Sequence, residues 1–232
     1  MRKTLLAASA LALAIAAPLA HAHKAGDIIV RAGAVTVDPR EDSSLLNLDG
    51  GSVPGTGATL NSDTQLGLNF AYMLTDKVGI ELLAATPFTH DVGVKGVSAA
   101  TGIPGLDGKL GEVTHLPPTL SAVVYPLDSN SAFQPYLGVG INYTIFFDEE
   151  LTAERKGQQF SNLSLDSSWG LAFQVGADYM LSDSLMLNAQ VRYIDISTDA
   201  TVKGPGALGV QETKVSVDVD PMVYMVGLGY KF

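Results

Sequence analysis

The feature that most constrains this chain is an alternation of apolar residues with small or polar ones, repeated in segments of roughly ten. Residues 64–74 set Leu66, Leu68, Phe70, Tyr72 and Leu74 against Gln65, Gly67, Asn69, Ala71 and Met73. Residues 133–147 set Leu137, Val139, Ile141, Tyr143 and Ile145 against Tyr136, Gly138, Gly140, Asn142 and Thr144. The same pattern runs through 169–179, 185–193 and 221–232, and more faintly through 27–37, 78–90 and 114–126. Successive side chains of a strand point to opposite faces, so period two means eight strands, each with one apolar face. Such strands suit either a water-soluble sheet with a buried apolar face or a membrane barrel with that face in lipid.

Three further features favour the barrel. Arg2 and Lys3 precede an apolar run from Leu5 to Ala17, and Ala20-His21-Ala22 follows Pro18. This is the pattern of a secretory signal peptide, residues 1–22, cleaved after Ala22 to leave 23–232 as one barrel domain. Connections alternate between short (75–77, 127–132, 181–184) and long (38–63, 91–113, 148–167, 195–220), as periplasmic turns and extracellular loops do. The chain ends on alternating Tyr224, Tyr230 and Phe232; Tyr230 and Phe232 resemble the C-terminal signal read by the outer-membrane assembly machinery. The expected fold is all-β: an eight-stranded antiparallel transmembrane β-barrel, integral to a Gram-negative outer membrane, with both termini in the periplasm.

Composition removes several function classes. Loss of Arg2 and Lys3 takes the formal charge from −10 to −12, which repels nucleic acid. There is no cysteine, hence no disulfide frame, thiol nucleophile or thiolate metal site. Past the signal peptide, no apolar stretch is long enough for a transmembrane helix. His90 and His115 lie near the outer ends of adjacent strands, but no nucleophile motif accompanies them. Two histidines do not make a metal site. No enzyme activity, metal or cofactor is therefore expected.

An eight-stranded barrel has a lumen about wide enough for side chains. Arg31, Glu81, Asp178, Arg192 and Lys231 take lumen parity and are expected to pair as a charged plug, the alternative being a selectivity ring. Glycines 67, 138, 140, 170, 176, 227 and 229 also face inward; they either leave a passage or permit curvature. Pro87 lies inside the third segment and Pro117 and Pro118 begin the fourth. Proline cannot donate to a ladder, so these either open the wall or end pairing where loops begin. Trp169 takes lipid parity and suits an outer aromatic girdle. Asp148, Glu149 and Glu150 are a solvated run or a divalent-cation bridge to lipopolysaccharide.

Several strings resemble the OmpW family, most of all its pseudomonad OprG-like members. They are GDIIVRAG from Gly26, ELLAATPFTHD from Glu81, HLPPTL from His115, FQPYLGVGINYTIFFDE from Phe133, DSSWGLAFQVGADY from Asp166, VRYIDI from Val191 and DPMVYMVGLGY from Asp220. Residues 42–63 and 96–111 do not clearly follow the pattern. The resemblance implies a porin-like channel for passive uptake of small hydrophobic molecules, which leave sideways through the wall into the outer leaflet. With the proline chemistry it implies a lateral gate at Pro87, Pro117 and Pro118, and a pocket above the plug from Leu83, Phe88, Leu116 and Phe146. Two alternatives stay open: a narrow pore for small polar solutes such as amino acids, and a structural or surface-interaction barrel.

Overall fold

The computed structural model describes residues 22–232. The expected signal peptide, Ala22 apart, lies outside them. The strands are β1 (Ile28–Asp38), β2 (Asp42–Ser43), β3 (Asn47–Leu48), β4 (Gly51–Ser52), β5 (Gly57–Leu60), β6 (Asp63–Met73), β7 (Val78–Ala85), β8 (Phe88–Lys95) and β9 (Gly108–Leu116). They continue with β10 (Thr119–Val124), β11 (Phe133–Leu151), β12 (Ser161–Leu165), β13 (Ser168–Met180), β14 (Leu185–Ile194), β15 (Ser197–Lys203), β16 (Glu212–Asp218) and β17 (Met222–Lys231). Two single-turn helices, α1 (Val97–Thr101) and α2 (Ala153–Gly157), sit in the outer connections.

Eight strands close the wall in the order β1, β6, β7, β10, β11, β13, β14, β17, and β17 pairs back onto β1. Every pairing is antiparallel. Closure is dictated by the solvent: in hydrocarbon an unpaired edge would leave backbone N–H and C=O groups without partners. Leu68, Phe70, Leu82, Leu120, Val139, Phe173, Leu187, Val226 and Leu228 are exposed on the outer surface. That apolar belt is the lipid-facing side of the alternation. Trp169 is 70 % exposed and stacks on Tyr143 at 4.4 Å between ring centroids, which fits a girdle position.

Above the belt the wall continues as two outer sheets. In one, β5, β8 and β9 pair with the upper part of β11. In the other, β12, β15, β16, β3 and β4 follow in order, with β2 also on β16. The long connections expected as loops are thus largely strand. Asp148, Glu149 and Glu150 lie inside β11, where a bulge follows Phe147, and Glu150 pairs with Lys156.

Two of the eight expected strands are interrupted. The segment 78–90 is β7 and the start of β8, broken at Thr86 and Pro87. The segment 114–126 is the end of β9 and β10, with Pro117 and Pro118 between them rather than opening the strand. The inward glycines hold no passage. At all seven an added Cβ would come within 3.0 Å of a neighbouring atom. At Gly227 that atom belongs to the β1 backbone and at Gly176 to the Tyr136 ring. These glycines permit close approach of strands and packing of the lumen.

Candidate functional site

The inward residues of β1, read upward, are Ile29, Arg31, Gly33, Val35 and Val37, and they mark the layers of the lumen. At the lowest level Ile29 packs with Ala71, Met73, Val123, Met180 and Met186. Lys231 lies at this end and is 3.8 Å from Asp27; its Nζ also donates to the Ala22 carbonyl. It stands apart from the central charges with which its parity grouped it, because it is the last residue of β17 and reaches only the rim.

The next layer is ionic. The Arg31 fork donates to Asp178 through Nε (2.9 Å) and Nη2 (2.6 Å), the bidentate geometry that suits guanidinium and carboxylate. Its other donors reach Asn69 Oδ1 at 3.0 Å, Tyr125 Oη at 2.8 Å and Glu81 Oε2 at 3.3 Å. Arg192 donates to Glu81 Oε1 at 2.8 Å and to Gln174 Oε1 at 2.7 Å. Asn188 donates to Asp178 Oδ1 at 2.8 Å and to Tyr136 Oη at 3.0 Å. His23 Nε2 lies 3.0 Å from Asp178 Oδ2. Two arginines face two carboxylates, so the layer carries no net formal charge, and none of the four is more than 1 % exposed. Burying charge is costly unless it is paired and hydrogen-bonded; all four groups are paired and hydrogen-bonded here, with Arg192 Nη1 left without a partner.

Above the ions Val35, Leu83, Phe88, Ala172, Ile194, Val223 and Met225 form an apolar layer, with Phe146 packed against it. Over that layer lies an apolar pocket of about 70 Å³, more than the roughly 10–15 Å³ that one water needs. Val37, Val113, Phe146, Ile196 and Val217 line it, together with His90 and His115. Of the four residues expected to form the pocket, Phe146 lines it. Leu83 and Phe88 sit in its floor layer, and Leu116 does not reach it. Leu116 pairs with Ile145, which is 40 % exposed, so both face outward and the neighbouring His115 turns in.

The wall beside the floor layer is broken. Leu83 pairs with Thr119, and the next pair up is Phe88 with His115. Between them residues 84–87 face 116–118 with no ladder, and the stretch contains Pro87, Pro117 and Pro118. One side holds an additional residue, as in a bulge. That residue shifts parity by one, so Phe88 points inward although plain alternation from Leu83 would point it out. The Pro118 carbonyl instead accepts from Tyr143 N at 3.1 Å and Asn142 Nδ2 at 3.2 Å. The break therefore lies on one side, between β7–β8 and β9–β10. Pro87 and Pro118 are exposed there and Pro117 is buried. At the chain's end Tyr230 and Phe232 are exposed and meet edge to face at 4.7 Å.

Parity alone did not single out the neutral partners of the plug. Asn69, Tyr136, Gln174 and Asn188 sit on inward positions of alternating strands, and that was their signal. His23, ahead of the first strand, had none. The pocket's upper lining was missed because it lies in the outer sheets, although the alternation of Val215, Val217 and Val219 marks a strand.

A sequence profile of the OmpW family matches residues 24–232. Outer membrane protein W of Vibrio cholerae is 43 % identical over 100 % of both chains. The crystal structure of the outer membrane protein OprG from Pseudomonas aeruginosa is 56 % identical, with a TM-score of 0.87 over 92 % of this chain and 99 % of that one. The dibenzothiophene metabolism operon protein PahQ of P. aeruginosa is 28 % identical over 82 % of each chain. Closed wall, apolar belt and these likenesses agree: the chain belongs to the OmpW family of outer-membrane β-barrel proteins.

Proposed function

We propose that this barrel is a passive channel, not an enzyme, which takes small hydrophobic molecules from outside the cell and releases them sideways into the outer leaflet. One juxtaposition carries the reading: an apolar pocket stands directly above a sealed ionic layer, and the wall ladder is broken at the level between them. A solute in the pocket has no route down past Arg31, Glu81, Asp178 and Arg192, all buried and mutually paired. The break at Pro87, Pro117 and Pro118 offers a way out at the height where lipid begins. A relative named for a dibenzothiophene operon supports a hydrophobic cargo. The plug disfavours a continuous pore for polar solutes such as amino acids. In this reading Tyr230 and Phe232 serve as the assembly signal, and the outer sheets face lipopolysaccharide.

The test is solute uptake into proteoliposomes carrying the purified barrel, comparing a small hydrocarbon with a small amino acid. Protein-dependent uptake of the hydrocarbon, reduced several-fold in Pro87→Ala with the fold intact, is expected. Uptake of the amino acid alone, indifferent to Pro87, would point to a lumen pore. Uptake of neither would leave a structural role.

A further inference from the structure

The pocket wall contains a histidine pair whose hydrogen bonds determine its own polarity. His90 and His115 approach through their Nε2 atoms at 2.9 Å, and their rings stack at 4.9 Å. His90 Nδ1 lies 2.6 Å from the Asn61 carbonyl. A carbonyl only accepts, so His90 Nδ1 carries the hydrogen, and in a neutral ring Nε2 is then bare. His115 must donate its Nε2–H to that atom, which leaves His115 Nδ1 as a bare acceptor.

Both rings stand above the lipid band, since the outer faces of β8 and β9 at this level carry Thr89, Asp91, Glu112 and Thr114, with Lys109 pairing Asp91 and Glu112. Burial, aided by its partner ring, pushes the His115 imidazole down to about 3. Burial also lowers His90, opposed by the Asn61 bond and by Asp63 and Asp91. Both are neutral near pH 7. His115 Nδ1 is buried without a partner, and among the described residues His115 is the one pocket-lining residue that carries such an atom. The neighbouring hydroxyls are engaged: Thr144 donates to Asn142 Oδ1 at 2.7 Å and Thr198 to the Asp166 carbonyl at 2.7 Å. A buried acceptor with nothing to accept is costly, and Phe88 and Phe146 flank the ring on apolar sides, with centroids 5.5 and 5.8 Å away.

We infer that His115 is a specificity residue, and that the pocket prefers small apolar molecules carrying one O–H donor, such as phenols and alcohols, over plain hydrocarbons. The inference rests on the hydrophobic-uptake reading and narrows its substrate class. A small turn of the imidazole would open His115 Nδ1 to the donor while the apolar body meets Val113, Phe146 and Ile196. A molecule with an ether in place of the hydroxyl has no donor to offer.

The probes are p-cresol, p-xylene, which has the same shape without the donor, and 4-methylanisole, which keeps the oxygen but caps it with a further methyl. Binding to the full barrel in detergent, measured by calorimetry, should favour p-cresol over both others by about two- to tenfold, the span of one net hydrogen bond. The 15N resonance of the bare His115 nitrogen should move on adding p-cresol and stay still with the ether. His115→Phe should erase the preference of p-cresol over p-xylene, both being measured on the same variant. The wild-type resonance answers the question even if that variant fails to fold. Equal affinities, an unmoved resonance, or a preference that survives His115→Phe would overturn the inference. Uptake of p-xylene in proteoliposomes reports separately on transport, so loss of that signal with the binding preference intact would sink the channel and leave the site.

Discussion

The lower and upper halves of this barrel are built from the same alternating strands and solve opposite problems. Below Gly33 the ladder is unbroken, and the lumen is closed by four paired charges and their amide and phenol partners. Above it the ladder is interrupted by three prolines, the lining is apolar, and space is left unfilled. Sealing a lumen with ions requires a rigid frame, because each charge is tolerated only while its partner stays in place. The lateral passage proposed for the upper half requires the reverse, a wall with backbone groups not committed to one another. The lower half provides the frame that allows the upper half to be open.

The largest expected effect lies in the frame. Asp178→Ala leaves the Arg31 and Arg192 guanidiniums to share Glu81 and should cost about 3–5 kcal/mol, measured as unfolding in detergent with urea. Replacing Arg31 and Asp178 together by apolar residues of similar size should cost much less. An Asp178→Ala barrel as stable as the parent would mean that the charges do not hold the lower half. Next is Gly176→Ala, whose methyl would meet Tyr136 and come within 2.9 Å of Gln190 Cβ. Overpacking there should cost about 1–3 kcal/mol in the same assay.

The upper half has a different sensitivity, to pH. His115 is neutral when folded down to about pH 3, while an unfolded histidine takes a proton near 6.5. Between those values the unfolded chain binds more protons, so stability rises with pH through that window and is lost as pH falls through it. His90 acts in the same direction, and the charges of Asp63 and Asp91 nearby moderate the effect. His115→Phe should flatten this dependence when thermal unfolding is followed from pH 7 to pH 4. An unchanged slope would place the acid sensitivity elsewhere.

The barrel was legible in sequence because most of its lipid-facing strands keep a clear period two against a single apolar solvent. Arg31, Glu81, Asp178 and Arg192 were legible for the same reason, as charges on the face opposite that solvent. The outer sheets were not. Strands of two to seven residues such as β3 and β15 are too short and too mixed to show a clear period two, and they pair across long stretches of chain, as Thr213 does with Leu48. Phe88 turns inward because one additional residue at the proline break shifts parity on its side, whereas Leu116 keeps plain alternation and faces outward; alternation cannot register such a shift without knowing the partner strand. The bare nitrogen of His115 depends on where the Asn61 carbonyl lies, which no spacing in the sequence encodes.

If solute leaves through the wall between residues 84–87 and 116–118, as proposed, closing that break must stop it. The register that pairs Leu83 with Thr119 places Ala84 opposite Pro118 one step further on. The chain has no cysteine, so a disulfide in Ala84→Cys/Pro118→Cys would be the sole one and would staple the break. Hydrocarbon uptake into proteoliposomes should fall at least several-fold when this variant is oxidised and return when it is reduced. Uptake unchanged by a fully formed staple would contradict lateral exit at this place.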